Sequence, residues 1–359
     1  MRGSRLKECL RCGRRSLLIA SAIGFCADCI RGHPNETLPV ILQAHAETRR
    51  QFNLPPAPPK DPSGLRCTLC ANECVIPPGG RGFCGLRENR EGKLISLAGT
   101  PSRGLLHWYR DPLPTNCVAD WVCPGHTKYG YHNLAVFYGS CTYNCLFCQN
   151  WHFRNMSPVR ERGISAEELA SLANPLTFCV CYFGGDPASQ MPHALAASRM
   201  LAEKGVRICW ETNGSMHPAL LDQAVELSLR SGGCIKFDVK AWDENLHIAL
   251  TGSSNRRTLE NLARAAARIP ERPEPPLVVV STLLVPGYVD AEEVGKIARY
   301  IASLDPSIPY ALLAFYPQFY LWDLPCTSYR HAKECEEAAL SAGLTNVRIG
   351  NIHLLSRDY

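Results

Sequence analysis

From Leu134 onward, short apolar runs alternate with stretches that carry apolar residues at helical spacing, and this repeat limits the fold more than any other feature. The runs are "LAVFYG" (134–139), "FCVCYF" (178–183), "VRICWE" (206–211), "CIKFDVK" (234–240), "LVVVSTLLV" (277–285) and "YALLAF" (310–315). Helical patterns cover 165–173, 189–204, 217–230, 256–268, 290–303 and 331–342. "SAEE" at Ser165–Glu168 reads as a capping box, and the helix near Glu203 should stop on Gly205. Strand–helix alternation of this kind gives a parallel α/β domain, either a barrel or a doubly wound sheet. No G-x-G-x-x-G follows the first run, which counts against dinucleotide binding, so the expected fold is an open (β/α)6 barrel of TIM type.

Unusual residues follow each run. They are Cys141, Cys145 and Cys148 after the first, "GGDP" (184–187) after the second and "ETNG" (211–214) at the end of the third. The fourth ends in Asp238 and Lys240, which share a face because strand side chains alternate. "PGY" (286–288) and "YPQFY" (316–320) follow the last two. In parallel barrels chemistry gathers at the C-terminal strand ends, so all six decorations are expected on one functional rim.

The chain has 359 residues, room for such a barrel and an appendage, and its 46% hydrophobic and 20% charged composition is that of a globular protein. Four zones are expected: a cysteine module at 1–50, a proline-rich linker at 51–64, an irregular cysteine-rich segment at 65–133 and the barrel at 134–359. Nineteen cysteines in clustered spacings point to metals rather than disulfides. No apolar run is long enough to cross a membrane. "SLLIASAIGF" (16–25) resembles a signal-peptide core but lies between two Cys-x2-Cys pairs, so it is taken as part of a metal knuckle and the protein as cytoplasmic. The net charge of +5 is spread out, apart from Arg2, Arg5, Lys7, Arg11, Arg14 and Arg15, expected to be a solvated terminus.

Cys9-x2-Cys12-x13-Cys26-x2-Cys29 has zinc-ribbon or rubredoxin-like spacing and suits one closed four-cysteine site, with zinc and iron equally compatible. Cys67, Cys70, Cys74 and Cys84 form a second set around a Gly-rich turn, for zinc or an auxiliary iron–sulfur cluster. Cys117 and Cys123 either complete another cluster or stay free, and Cys179, Cys181, Cys209 and Cys234 read as small core side chains.

The triplet Cys141-x3-Cys145-x2-Cys148 supplies three thiolates where a tetrahedral ion wants four ligands. A [4Fe–4S] cluster held by three cysteines keeps one iron open for an outside ligand. With the aromatic Phe147, this triplet resembles the C-x3-C-x-φ-C hallmark of the radical S-adenosylmethionine (SAM) superfamily, a likeness that runs over about residues 134–350. The resemblance implies that Cys141, Cys145 and Cys148 hold the cluster and that Phe147 lies against the adenine. It implies that Gly184, Gly185 and Asp186 take the place of the Gly-Gly-Glu-Pro motif that meets the SAM amino group, here with Asp for Glu. "ETNG" and "DVK" are similar to motifs of glycyl-radical activating enzymes, which implies SAM contacts for Asn213, Asp238 and Lys240. "CTLCANECVIPPGGRGFCGLR" (67–87) and "CQN" (148–150) resemble the AmmeMemoRadiSam group, whose Pro-His after the second cysteine is replaced here by Ala71-Asn72.

The activity so implied is reductive cleavage of SAM to a 5′-deoxyadenosyl radical that abstracts hydrogen. It requires an electron donor of ferredoxin or flavodoxin type and is oxygen-sensitive. A protein is one candidate substrate, and activation of a glycyl-radical enzyme is the alternative reading. Two readings of another class are RNA binding or modification through the N-terminal module and pure electron transfer. The module has no interleaved basic and aromatic face, so nucleic acid is not an expected partner.

Overall fold

The computed structural model describes residues 6–115 and 117–359; Arg2 and Arg5 of the basic cluster lie outside the described residues. The chain opens with a two-residue hairpin, β1 (Lys7–Glu8) and β2 (Arg15–Ser16), followed by α1 (Ala27–Gly32) and α2 (Pro34–Arg50). Two further small hairpins pair β3 (Leu65–Arg66) with β4 (Val75–Ile76) and β5 (Arg87–Arg90) with β6 (Lys93–Ser96). Next comes β7 (Leu106–Pro112), a seven-residue strand in a stretch read as irregular from sequence. Its alternation is broken by charged and aromatic residues that suit an edge position rather than a buried one.

The repeating part follows as β8 (His132–Tyr138), α3 (Ala166–Ser171), β9 (Thr177–Phe183), α4 (Met191–Glu203) and β10 (Arg207–Thr212). It continues through α5 (Pro218–Ser231), β11 (Ile235–Asp238), α6 (Glu244–Thr251), α7 (Arg256–Ala266) and β12 (Val278–Leu284). It ends with α8 (Ala291–Leu304), β13 (Tyr310–Ala314), α9 (Tyr329–Ser341) and β14 (Val347–Gly350). All six strand runs form, and β14 adds a seventh parallel strand too short and too polar to stand out in sequence. The Ser165–Glu168 capping box is made in both directions, and Gly205 sits at φ +77° past α4.

The strands lie side by side in strict chain order from β14 to β7, with β8 to β14 parallel and β7 antiparallel at the edge. A doubly wound sheet reverses its order at a switch point, whereas a monotonic order winds every crossover the same way and curls the sheet into a barrel. No pairing joins β14 to β7 among the described residues, so the barrel is open. Its outer face and the helices share the main core, in which Leu134, Val136, Val180, Ile208, Trp210, Ile235, Val278 and Leu312 are all fully buried.

The N-terminal module docks on this barrel. Ala20 N donates to Tyr288 Oη at 2.9 Å, and Tyr288 Oη donates to the Phe25 carbonyl at 3.1 Å. Ile19, Ala20, Ile23 and Phe25 of the apolar stretch are buried there. Lys7, Arg11 and Arg14 pair with Asp323, Glu36 and Asp28 at 3.1, 2.9 and 2.7 Å.

Candidate active site

The loop after β8 is pinned from three directions. Asn144 N and Leu146 N donate to the carbonyls of Thr251 and Leu250 at 2.8 and 3.0 Å, and Tyr320 N donates to the Leu146 carbonyl at 2.9 Å. Asn144 Nδ2 reaches His45 Nδ1 and Thr48 Oγ1 on α2 at 3.0 and 2.8 Å, so the N-terminal module braces the same loop. So held, Cys141, Cys145 and Cys148 line one cavity of about 180 Å3 together with Phe147, Gly184, Gly185, Asp186, Asn213, Asp238 and Lys240. Ten residues picked from four separate stretches of sequence thus face one space. Burial pushes the Cys145 thiol up to about 12 and raises Cys141 well above its ordinary value, so these sulfurs ionise only with a cationic partner such as a metal.

Gly184 and Gly185 sit at φ +64° and +55°. A Cβ on Gly184 would fall 2.1 Å from the Phe137 ring, and one on Gly185 would fall 2.1 Å from the Tyr138 carbonyl oxygen. Only glycine leaves this cradle open to a ligand. Asp186 departs from the expected role. Its carboxylate accepts from Ala188 N and Asn213 N at 2.7 Å each and from Thr212 Oγ1 at 3.0 Å. The side chain therefore ties the end of β9 to the end of β10, and only the backbone here is free to meet a ligand. Burial raises this carboxyl to about 6 against those donors. Asn213 is likewise turned inward, its amide donating to Thr142 Oγ1 at 2.8 Å and lying 3.8 Å from Cys141 Sγ.

Lys240 pairs with Asp238 and stands 5.5 Å over the Phe147 ring. Burial alone would depress this ammonium, but Asp238 and Cys145 outweigh it and hold the pKa above its ordinary range. The pair is not closed on itself, because Asp238 Oδ1 is buried without a hydrogen-bond partner. A buried carboxylate oxygen left unpaired is costly. It fits a ligand that brings an ammonium or a hydroxyl, as the amino acid and ribose ends of SAM do. The three sulfurs, the glycine cradle and the orphaned oxygen together fit a cluster with SAM beside it.

The sequence reading missed several lining residues. Tyr143, Glu211, Thr212, Leu283 and Leu313 also face the cavity. Thr212 and Glu211 lay inside quoted motifs, while Leu283 and Leu313 carry no signal apart from strand parity. Two of the six rim decorations do other work. A Cβ on Gly287 of "PGY" would fall 2.2 Å from the Leu18 carbonyl, so this turn receives the N-terminal module. Tyr320 of "YPQFY" backs the cysteine loop and meets Gln51 through its hydroxyl.

The remaining cysteines, apart from Cys326 and Cys335, form three further groups. The ligand atoms of Cys9, Cys12, Cys26 and Cys29 all lie within 4.8 Å of one another, the only such group among the described residues. Zn–S bonds of about 2.3 Å put tetrahedral sulfurs about 3.8 Å apart, so this set is sized for one ion. At Cys9 burial opposes ionisation, yet the N–H groups of Cys12, Cys26 and Arg11 bring the thiol down to about 6. Burial raises the thiols of Cys67, Cys70 and Cys74, the nearby Cys84 sulfur adds to the effect, and Cys74 rises to about 11. This second set lies against the active loop. Asn72, where the resembling group has His, donates to the Thr142 carbonyl at 2.7 Å, and Cys84 shares a cavity with Cys141. Cys117, Cys123, Cys179, Cys181, Cys209 and Cys234 gather around a single cavity; the last four are buried in a small core cluster, as expected, and also line that cavity.

A barrel of consecutive parallel strands with a three-cysteine loop over a glycine cradle defines a class, and the sequence agrees: residues 135–301 match the Radical SAM superfamily. The chain carries a radical SAM domain and is an enzyme of the radical SAM class. Such a domain implies a [4Fe–4S] cluster and SAM. It is 26% identical over 312 residues to an uncharacterized protein of Methanocaldococcus jannaschii, spanning 81% of this chain and 83% of that one. It is 28% identical over 192 residues to the pyruvate formate-lyase-activating enzyme of Staphylococcus aureus, covering 50% of this chain and 73% of that one. It is also 33% identical over 134 residues to the isethionate sulfite-lyase activating enzyme of Oleidesulfovibrio alaskensis, covering 37% and 40%. Among the described residues no helix is long and apolar enough to cross a membrane.

Proposed function

We propose that Cys141, Cys145 and Cys148 hold a [4Fe–4S] cluster, and that SAM lies between it and the barrel mouth to initiate hydrogen abstraction from a protein or peptide. The observation that carries this reading is the shared cavity of the three cysteines, the glycine cradle and the Asp238–Lys240 pair with its orphaned Oδ1. A cluster held there would, once reduced, supply an electron for the reductive cleavage of SAM. The chain's own residues do the positioning. Lys240 offers an ammonium for the SAM carboxylate, Asp238 accepts from its hydroxyls or amine, and Gly184 and Gly185 line the cavity with backbone alone. Phe147 offers a flat apolar face for the adenine. Asp186 and Asn213 act as positioning residues that hold β9, β10 and Cys141 in place.

The similarity to proteins named as activating enzymes favours a polypeptide as the hydrogen source, with a glycine of a partner enzyme as one form. An external donor of ferredoxin or flavodoxin type would reduce the cluster. The four-cysteine set at Cys9–Cys29 would hold zinc or a rubredoxin-type iron, and the Cys67–Cys84 set zinc or an auxiliary cluster.

The test is anaerobic reconstitution with iron and sulfide, addition of dithionite and SAM, and mass spectrometry for 5′-deoxyadenosine. The product is expected from the wild type and absent from Cys148→Ala. Equal yields from the two would remove the triplet from the chemistry.

A further inference from the structure

Six cysteines converge below the SAM cavity, on the inner face of the barrel toward the N-terminal ends of the strands. Strand parity puts them there. Cys179 and Cys181 alternate with outward residues on β9, Cys209 stands on β10, and Cys234 enters β11 two residues before Lys236. Cys117 and Cys123 come from the loop that follows β7. The cavity they surround measures about 490 Å3, and Glu211 lines both it and the SAM cavity above. The cavity opens past Pro114 and His126 to the surface, and six of its lining residues are cysteines.

The six fall into two layers. In the upper one Lys236, 1% exposed, donates to Cys181 Sγ at 2.9 Å and Cys117 Sγ at 3.1 Å and faces Glu211 at 3.4 Å. A buried ammonium requires acceptors and a counter-charge; the two sulfurs accept from it and the Glu211 carboxylate supplies the charge. In the lower layer Cys123, Cys179, Cys209 and Cys234 line both this cavity and the narrow crevice beneath it, which Phe178, Pro275 and Pro276 close. Cys123 Sγ also accepts from Gly125 N at 3.4 Å, the same two-residue N–H to sulfur contact that Cys141 receives from Tyr143 N. Unlike those of the N-terminal set, the lower sulfurs do not all lie within 4.8 Å of one another. Soft thiolates at that spread suit an iron–sulfur cluster rather than a single zinc.

We propose that Cys123, Cys179, Cys209 and Cys234 ligate a further iron–sulfur cluster inside the barrel, with Lys236 and its two sulfur partners as the charged layer that separates it from the SAM cavity. Each ligating cysteine loses its proton on binding, and the iron and sulfide come from solution.

The experiment uses the full chain, isolated anaerobically and reconstituted with ferrous iron and sulfide. The double variant Cys209→Ser/Cys234→Ser is expected to hold about four fewer irons and four fewer sulfides per chain than the wild type. Unchanged iron and sulfide would overturn the proposal. So would zinc lost without sulfide, or a Cys179–Cys209 or Cys209–Cys234 disulfide in the anaerobic protein. Should the double variant fail to fold, alkylation of the wild type decides. Cys123 is expected to resist a thiol reagent in the loaded protein and to react once a chelator has stripped the iron; equal labelling before and after would overturn the assignment.

Discussion

A methyl group on Gly185 would have to share space with the carbonyl oxygens of Tyr138 and Ser140, at 2.1 and 2.5 Å, on a backbone already at φ +55°. Both atoms belong to the chain that leads into the cysteine loop, so neither can yield without moving Cys141. Gly185→Ala is expected to cost about 2–4 kcal/mol of stability and to lower 5′-deoxyadenosine yield at least about tenfold. Denaturant unfolding and product quantitation would check the two parts, and a variant with wild-type yield would show that the cradle is dispensable. At this scale the triplet, the glycine pair and the Asp238–Lys240 pair were legible, since each is a residue type whose chemistry or backbone freedom few others share. Asp186 was not. Its motif pointed at a ligand, but whether a carboxylate faces a ligand or three internal donors depends on where β10 ends, which no local pattern records.

Between elements, His193 on α4 illustrates how the layers lock. It is fully buried, accepts from the Tyr138 hydroxyl of β8 through Nδ1 at 2.9 Å, and donates from Nε2 to the Ile164 carbonyl at 3.1 Å. Burial depresses its pKa to about 4. With the folded value below the unfolded value of about 6.5, the unfolded chain takes up the proton first as pH falls. The histidine's contribution to stability is therefore complete above about pH 6.5 and is lost progressively from there to about 4. Between pH 7 and 5 the wild type is expected to lose about 2 kcal/mol more stability than His193→Gln, read from denaturant unfolding at the two pH values. Parallel slopes would mean that His193 titrates normally. The helices between the strands were readable from apolar spacing and caps, whereas α1 and α2 of the N-terminal module went unread and α6 escaped notice, being eight residues long and sandwiched between the β11 rim and α7. The antiparallel edge β7 escaped for a related reason: an edge strand has one neighbour, so selection for alternation is weak.

Over the whole molecule the N-terminal module is bound into the active loop. Its α2 places His45 between the Ala249 carbonyl and Asn144, at 3.0 Å each, and Asn144 lies in the cysteine loop. Loss of the ion that organises Cys9, Cys12, Cys26 and Cys29 should loosen the base on which α2 stands. Cys12→Ser is expected to lose one zinc or iron per chain and to lower Tm by several degrees, checked by elemental analysis and thermal unfolding. Unchanged metal content would show that the set is not a metal site. The division of labour between sequence and tertiary structure follows from the range of the forces involved. The sequence by itself determined the α/β repeat, because strand and helix periodicities are local, and it determined the three-thiolate loop and its neighbours, because ligand spacing within one turn is local too. Tertiary structure alone decided that a seventh parallel strand and an antiparallel edge strand extend the open barrel the repeat implied, that two rim turns serve docking, and that Asp186 faces inward. It also decided that six cysteines scattered from 117 to 234 share one cavity, since only the closing of three neighbouring strands and a distant loop brings their sulfurs together.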